Sequence, residues 1–303
     1  MQYIISHNGK YGPTCARSQL VLAGLFWNFC AHQEPNMNQD TQKPARKPDS
    51  LFVESVEKAF RVLEAFSGDQ IDLGLVEIIA RTGLNKSAAQ RFTHTLLRLG
   101  YLKRDPASRR YALSQKVLIS AHNFLSADTL VNRAIPYIID LRRQLNMRVG
   151  MGCLHGQSAM YLIPLQSNKT AFRTAHPGFK VPIFCTSTGR ALLAGRPDTE
   201  ARAMIEQCDR KSYTPYTITD VETLMAEISR TRDQGFCITD QEFVTADINI
   251  AAAITDAKGQ AIATVTASGP KSVWTRTDLE TKVAELVMDT ARTVSMHSHH
   301  LNN

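Results

Sequence analysis

The sequence predicts an α+β protein in two parts: an N-terminal winged helix-turn-helix, then linker helices leading to a domain of mixed strands and helices. Three observations carry this reading. Residues 73–113 run through two short helical patterns, a Thr-Gly turn, a polar and basic helical pattern and a small basic hairpin. Residues 81–116 hold nine basic side chains (Arg81, Lys86, Arg91, Arg98, Lys103, Arg104, Arg109, Arg110 and Lys116) against one acid, Asp105, while the whole chain carries a formal +7. Beyond Asn146 strands and helices mix without strict alternation, which favours segregated α+β packing over a doubly wound sheet.

Each element has its own signal. Val53, Val56, Ala59, Phe60, Leu63 and Phe66 recur at three- and four-residue steps, so residues 55–66 are predicted as an amphipathic helix. Leu73, Leu75, Ile78 and Ile79 mark a second helix, stopped by Thr82-Gly83. Asn85 is placed to cap a third helix over 86–99, which ends at Gly100. Residues 101–104 and 109–113 read as strands flanking the turn-rich Asp105-Pro106-Ala107-Ser108, the form of a wing. Helices are expected at 114–124 and 130–145, the second broken or kinked near 134–135 by Pro136. Strands are expected at 149–154, 158–165, 171–174, 181–184, 236–239, 248–255 and 261–267, the last two joined by a turn at Asp256-Ala257-Lys258-Gly259. Helices are expected at 187–194, 199–207, 221–234 and 279–296. The resulting domains are a winged helix-turn-helix at 51–113, linker helices at 114–145, a second domain at 146–296 and a tail at 297–303.

With 303 residues and 43% hydrophobic side chains, the chain has the length and composition for two folded domains. Its pI near 9.1 suits an anionic partner; the clustering of that charge in one short window is the stronger argument. Cys15, Cys30, Cys153, Cys185, Cys208 and Cys237 are widely spaced, with no CxxC pair. That pattern suits a reduced cytoplasmic setting and neither a zinc ribbon nor a disulfide framework. Residues 20–29 are apolar and follow Lys10 and Arg17, which suggests an export signal. Cleavage after Ala31 would place bulky Phe29 where a small residue is wanted, and the run is too short to span a bilayer. The preferred expectation is a start at Met37, with 1–36 an upstream extension, and a polar, disordered arm leading to residue 50.

On the third helix, Phe92, Leu96 and Leu99 form an inward stripe with Ala88 or Ala89. The outward side then presents Lys86, Ser87, Gln90, Arg91 and His94. A helix of this kind lies in the DNA major groove with its N-terminal half at the base edges. Gln90 suits adenine, and Arg91 suits guanine or a phosphate. Arg104, Arg109 and Arg110 on the wing suit phosphates or the minor groove, which positions a protein without specifying sequence. The plain alternative is a solvated helix face. The order of turn, helix and basic hairpin argues against it.

These segments resemble the IclR family of bacterial regulators. The run from Glu77 to Ser87, followed by Leu96 to Leu102, is similar to that family's winged helix-turn-helix. Cys185 to Ala194 resembles its Thr/Ser-Gly helix opening, Arg232 to Glu242 its RGF…DDEE element, and Ser268-Gly269-Pro270 its SGP ending. The resemblance covers about residues 50–296, and some spellings are similar to the subgroup regulating aromatic-acid catabolism. It implies a GAF-like C-terminal domain binding a small carboxylated metabolite, assembly as a homodimer or homotetramer, a double-stranded DNA operator, no cofactor and no enzymatic activity.

Matching the family's ligand contacts implies an effector site at Ser187, Thr188, Thr239, Asp240, Asn249, Thr266 and Ser268. Backbone N–H groups at 187–189, at a helix start, favour an anion there as well. Thr239 replaces a usual aspartate, Asn249 a usual cysteine, serine or arginine, and Asp247-Ile248-Asn249-Ile250 a Gly-Leu-Arg-Cys-like stretch. The ligand is therefore expected to differ from a short-chain 2-oxo acid. Arg173 is a candidate partner for a ligand carboxylate or, equally, a surface arginine. Ser187 and Thr188 also fit as plain helix caps, and Asp240 as a structural acid.

The rival class is a DNA-binding domain fused to a small-molecule hydrolase. Cys185 beside Thr186 and Ser187 suggests a nucleophile, but no Cys-His pattern accompanies it, and a buried small residue is the better reading. His297, His299 and His300 lack partner ligands and read as a frayed helix end rather than a metal site. No Walker loop or dinucleotide glycine fingerprint is present. No catalytic or metal-ligating residue is assigned.

Overall fold

The computed structural model describes residues 51–67, 70–167 and 175–299. The proposed extension and start site, the strand at 171–174, Arg173 and His300 lie outside the described residues, and so do the side chains of His297 and His299. The chain divides into two compact units between Ala121 and His122.

In the first unit, α1 (Glu54–Glu64), α2 (Leu75–Thr82) and α3 (Lys86–Arg98) precede a hairpin of β1 (Leu102–Arg104) and β2 (Tyr111–Leu113). Each helix buries one stripe, and Val62, Leu73, Ile78, Ala89, Leu96 and Leu102 share the core. The α2–α3 turn is set by Gly83, whose φ of 68° is open to glycine at no steric cost and whose N–H donates to Ile79 O at 2.9 Å. Asn85 Oδ1 then accepts from Ala88 N at 2.8 Å and caps α3. Asn85→Ala is expected to lower the stability of this unit by about 1 kcal/mol, read as a shifted urea midpoint at unchanged slope. Leu73 joins the wing through paired 2.8 Å backbone bonds with Tyr111. The wing turn is tied by Asp105 Oδ1, which accepts from the N–H groups of Ala107 (2.9 Å) and Ser108 (2.6 Å). These bonds, led by Ser108, hold its carboxyl below the ordinary range.

The helix α4 (Val117–Ala127) crosses the division, and α5 (Thr129–Leu145) opens the second unit, capped by Asp128. Strands β3 (Arg148–His155), β4 (Ser158–Leu165), β5 (Lys180–Pro182), β6 (Cys237–Asp240), β7 (Asp247–Thr255) and β8 (Ala261–Pro270) pair antiparallel in the order β5-β4-β3-β8-β7-β6. Between β5 and β6 come α6 (Ser187–Ala194), α7 (Asp198–Gln207) and α8 (Val221–Gln234). A short α9 (Arg276–Asp278), a π-helical turn over Leu279–Val283 and α10 (Ala284–His299) close the described chain.

Strand alternation gives the sheet two different faces. Val149, Met151, Val265, Ala267, Ile248, Ile250 and Ile238 pack with α5 and α10 in one large apolar core. The opposite face carries Gly150, Gly152, Thr264, Thr266, Ala251 and Cys237, and α6 lies on it, with Ala191 packed against Cys237 and Ala251. A second core under α6, α7 and α8 includes Phe184, Leu192, Leu193, Ile205 and Ile228.

Two sequence expectations need correction. The helix α5 runs unbroken through Pro136. Its inner stripe of Val131, Ala134, Ile138, Leu141 and Leu145 is buried on both sides of the proline, and that packing holds the helix together. The same burial makes α5 a core layer of the second unit rather than a connector. The expected strand at 181–184 is shorter and earlier, because Ile183, Phe184 and Cys185 turn inward to enter α6.

Candidate functional site

On α3, Lys86, Ser87, Gln90, Arg91 and His94 are exposed, while Ala89, Thr93 and Leu96 are buried. At 100° per residue, Ser87, Arg91, His94 and Arg98 share the outward ridge. Arg98, counted with the basic window but not expected on this face, follows His94 by four residues and Arg91 by seven, a spacing visible in the sequence. On the wing, Arg104 lies over the Tyr111 ring at 5.2 Å and donates from Nε to Arg109 O at 3.1 Å. Arg109 sits at the turn with φ 59° and is exposed.

Not all of the basic charge is available to a partner. Arg110, expected on phosphates, instead donates to Asp72 Oδ1 (2.6 Å), Asp72 O (3.0 Å) and Glu77 Oε1 (3.0 Å). Asp72 and Glu77 precede the basic window, so a count confined to that window missed the carboxylates that neutralise this arginine. Arg81 binds the carbonyls of Ala65 and Ser67. Lys116 binds Leu99 O at 2.7 Å and covers the Tyr101 ring. Among the described residues of this window only Arg110 is neutralised by carboxylates; Arg81, Arg104 and Lys116 meet neutral groups and keep their charge, and Lys86, Arg91, Arg98, Lys103 and Arg109 complete the cationic surface.

In the second unit, α6 begins beside the polar part of its sheet face. Thr186 is the N-cap: its Oγ1 accepts from Gly189 N at 3.2 Å and donates to Pro182 O at 2.6 Å. Ser187 and Thr188 are therefore not the capping side chains, and the Gly189 N–H is already occupied. Thr188 is 1% exposed and Thr266 2%; their hydroxyls are 2.8 Å apart, with the Tyr161 hydroxyl 3.3 Å from Thr188. The helix approaches this closely because Gly152 has no side chain under Thr188, and Gly189 none against Ile183. Gly189→Ala would raise helix propensity, yet its Cβ would overlap the Ile183 backbone. A net loss of about 1–3 kcal/mol is expected, seen as a lower melting temperature of the purified variant.

Register brings most of the expected residues together. Thr239 pairs with Asn249, Asn249 with Ser268 and Ser268 with Arg148, one row across four strands. Ala251, Thr266 and Gly150 form the next row on the same face. Asp240 is a correction. One residue beyond Thr239, it falls on the opposite face and forms an ion pair with Lys271, its Oδ1 without a hydrogen-bond partner among the described residues. Two residues not expected at the site lie on this face: Arg148, at the end of the row, and Asp247, one row beyond it, with which Arg148 forms an ion pair. Burial raises the Asp247 carboxyl above its ordinary value, with Arg148 opposing. Burial likewise raises the Tyr161 hydroxyl, against the Thr188 hydrogen bond.

Beneath the first turn of α6, Arg190 is fully buried. Its Nε donates to Phe184 O at 2.8 Å, and its Nη1 and Nη2 donate to the two carboxylate oxygens of Glu242, Nη1 at 2.8 Å. Burial pushes the Cys185 thiol well above its ordinary value, against Arg190. A thiolate there is disfavoured, which fits a buried small residue. Among the described residues no cluster of ligands suits a metal ion, and no helix is long and apolar enough to cross a membrane.

A capped helix with an exposed basic ridge and a wing, followed by a sheet domain with a buried polar site, has the form of a transcriptional regulator of the winged helix-turn-helix class. The family pattern of the IclR helix-turn-helix domain matches residues 55–106, and that of the C-terminal domain of bacterial IclR transcriptional regulators matches residues 122–296. The chain belongs to the IclR family. It is 33% identical to the Pca regulon regulatory protein of Pseudomonas putida, over 80% of this chain and 84% of that one. It is 30% identical to the p-hydroxybenzoate hydroxylase transcriptional activator of Acinetobacter baylyi, over 70% and 79%. An IclR family transcriptional regulator from Brucella abortus superposes with a TM-score of 0.70 at 26% identity, covering 82% of this chain and 94% of that one.

Proposed function

We propose that this regulator controls a catabolic operon in response to a small carboxylated, aromatic metabolite. The observation that carries the reading is the hydroxyl-rich patch of Thr188, Thr266 and Tyr161, continued by Ser268, Asn249 and Thr239, on the sheet face that receives the start of α6. Ser187 lies at the same helix start. The two relatives named for the Pca regulon and for p-hydroxybenzoate hydroxylase support an aromatic acid. No observation favours a hydrolase.

The protein acts in the cytoplasm as a homodimer or a pair of dimers on a palindromic operator. Two copies of α3 then enter major grooves about 34–36 Å apart, or a multiple of that. Self-association is supported by α4, which buries none of its own residues and exposes Leu118, Ile119 and Phe124. Effector binding shifts the DNA-bound population through its different affinity for two arrangements of the protein.

The test is binding to the protein's own promoter fragment at low ionic strength, with and without hydroxybenzoates and aliphatic acids. An operator affinity that changes without turnover of the acid is the expected result. A protein that ignores its promoter under every condition sinks the reading. Ser187→Ala is expected to weaken effector binding about fivefold, the worth of one hydrogen bond, in a calorimetric titration. Simultaneous loss of DNA binding would mean a folding defect instead.

A further inference from the structure

Arg148 and Asp247 stand at the end of the polar row with the charges the rest of it lacks. Arg148 pairs with Ser268 in register and Asp247 with Pro270, so their ion pair bridges β3 and β7 over the intervening β8. Their side chains are 25% and 21% exposed, whereas Thr188 and Thr266 are sealed. The site thus has neutral hydroxyls at its floor and a guanidinium at its solvent side. The other cations nearby are committed: Arg190 holds both oxygens of Glu242, and Lys271 holds Asp240 on the opposite face. Arg148 reaches Asp247 through Nη2 alone, and a guanidinium has five donors in a fork that matches a carboxylate.

We propose that Arg148 is the anchor for the effector's carboxylate, and that Asp247 is its resident counter-ion, which the incoming carboxylate displaces. This rests on the reading of the α6-side sheet face as the effector site. It narrows the ligand to a monocarboxylate carrying a hydroxyl at its far end. The anion stays at the partly hydrated side, where its desolvation is cheapest. The hydroxyl enters among Tyr161, Thr188 and Thr266 and takes over hydrogen bonds those groups make to one another. A dicarboxylate would bury its second charge against neutral hydroxyls and is disfavoured.

The pair makes opposite predictions for its two members. Calorimetric titration of the full chain with 4-hydroxybenzoate and 3,4-dihydroxybenzoate, each beside its carboxamide, reads them out. Wild type is expected to prefer acid over amide. Asp247→Asn keeps the shape and an acceptor for Arg148 but removes the competing charge, so it should bind the acid about tenfold more tightly. Arg148→Gln should lose at least tenfold and no longer distinguish acid from amide, while Arg148→Lys should keep a preference for the acid. Cooperative melting of each variant identifies any that fail to fold, and the lysine and asparagine variants then carry the test. Weaker acid binding by Asp247→Asn, or unchanged binding by Arg148→Gln, overturns the inference and leaves the effector site standing. If neither acid binds wild type or alters its operator affinity, the effector reading falls along with it.

Discussion

Glu242→Ala is expected to destabilise the second unit by about 3–5 kcal/mol, because it leaves the Arg190 guanidinium without its counter-ion in a fully buried position. The loss does not stop at the pair. Ile218 N also approaches the Glu242 carboxylate at 3.5 Å, so removing that carboxylate loosens the segment after α7 as well. Arg190 in turn fixes the start of α6 through Phe184 O. The double replacement Arg190→Met with Glu242→Leu fills similar volume with no charge and is expected to recover most of the loss, since both desolvation penalties vanish together. Urea unfolding followed by tryptophan fluorescence separates the cases. A single variant as stable as the double would show that the charge finds water or another partner.

The second large effect lies on the DNA side. Arg91→Ala is expected to weaken operator binding roughly tenfold or more and to relax the preference for one base, the effect of losing a bidentate guanine contact, whereas loss of a phosphate contact would weaken all sequences alike. Gln90→Ala should relax preference at a neighbouring position. Arg109→Ala should weaken operator and random DNA alike and flatten the dependence of affinity on salt, because a phosphate contact releases a counter-ion. Arg110→Ala differs from all three: its guanidinium is held by Asp72 and Glu77, so it should loosen the wing and leave the salt slope nearly as it was. Fluorescence anisotropy on operator and scrambled duplexes from 50 to 200 mM salt reads all four. Equal salt slopes for Arg109→Ala and wild type would remove the wing from the phosphate backbone.

The elements of the fold were legible because their signals are local. The three-residue and four-residue apolar steps of α1, the Asn85 cap and the Gly83 stop each depend on a few neighbouring side chains, and the boundaries fall within a few residues of expectation. Helix α8 and strand β4 match their expected limits. The helix boundary expected at Pro136 is absent because the local cost of a proline is legible in the sequence, while the buried stripe on both sides that opposes it is a property of the packed sheet.

The sites divide along the same line. The sequence alone determined a basic winged module, its capped outward-facing helix and a second domain of mixed strands and helices, because period, caps and turn residues act over distances of one or two turns. Only the tertiary structure decided which charges are spent and which face each residue serves. Arg110 is neutralised by acids 33 and 38 residues away. Asp247 meets Arg148 across 99 residues. Thr239 and Asp240 part to opposite faces of one strand, since alternation separates neighbours while register joins strangers.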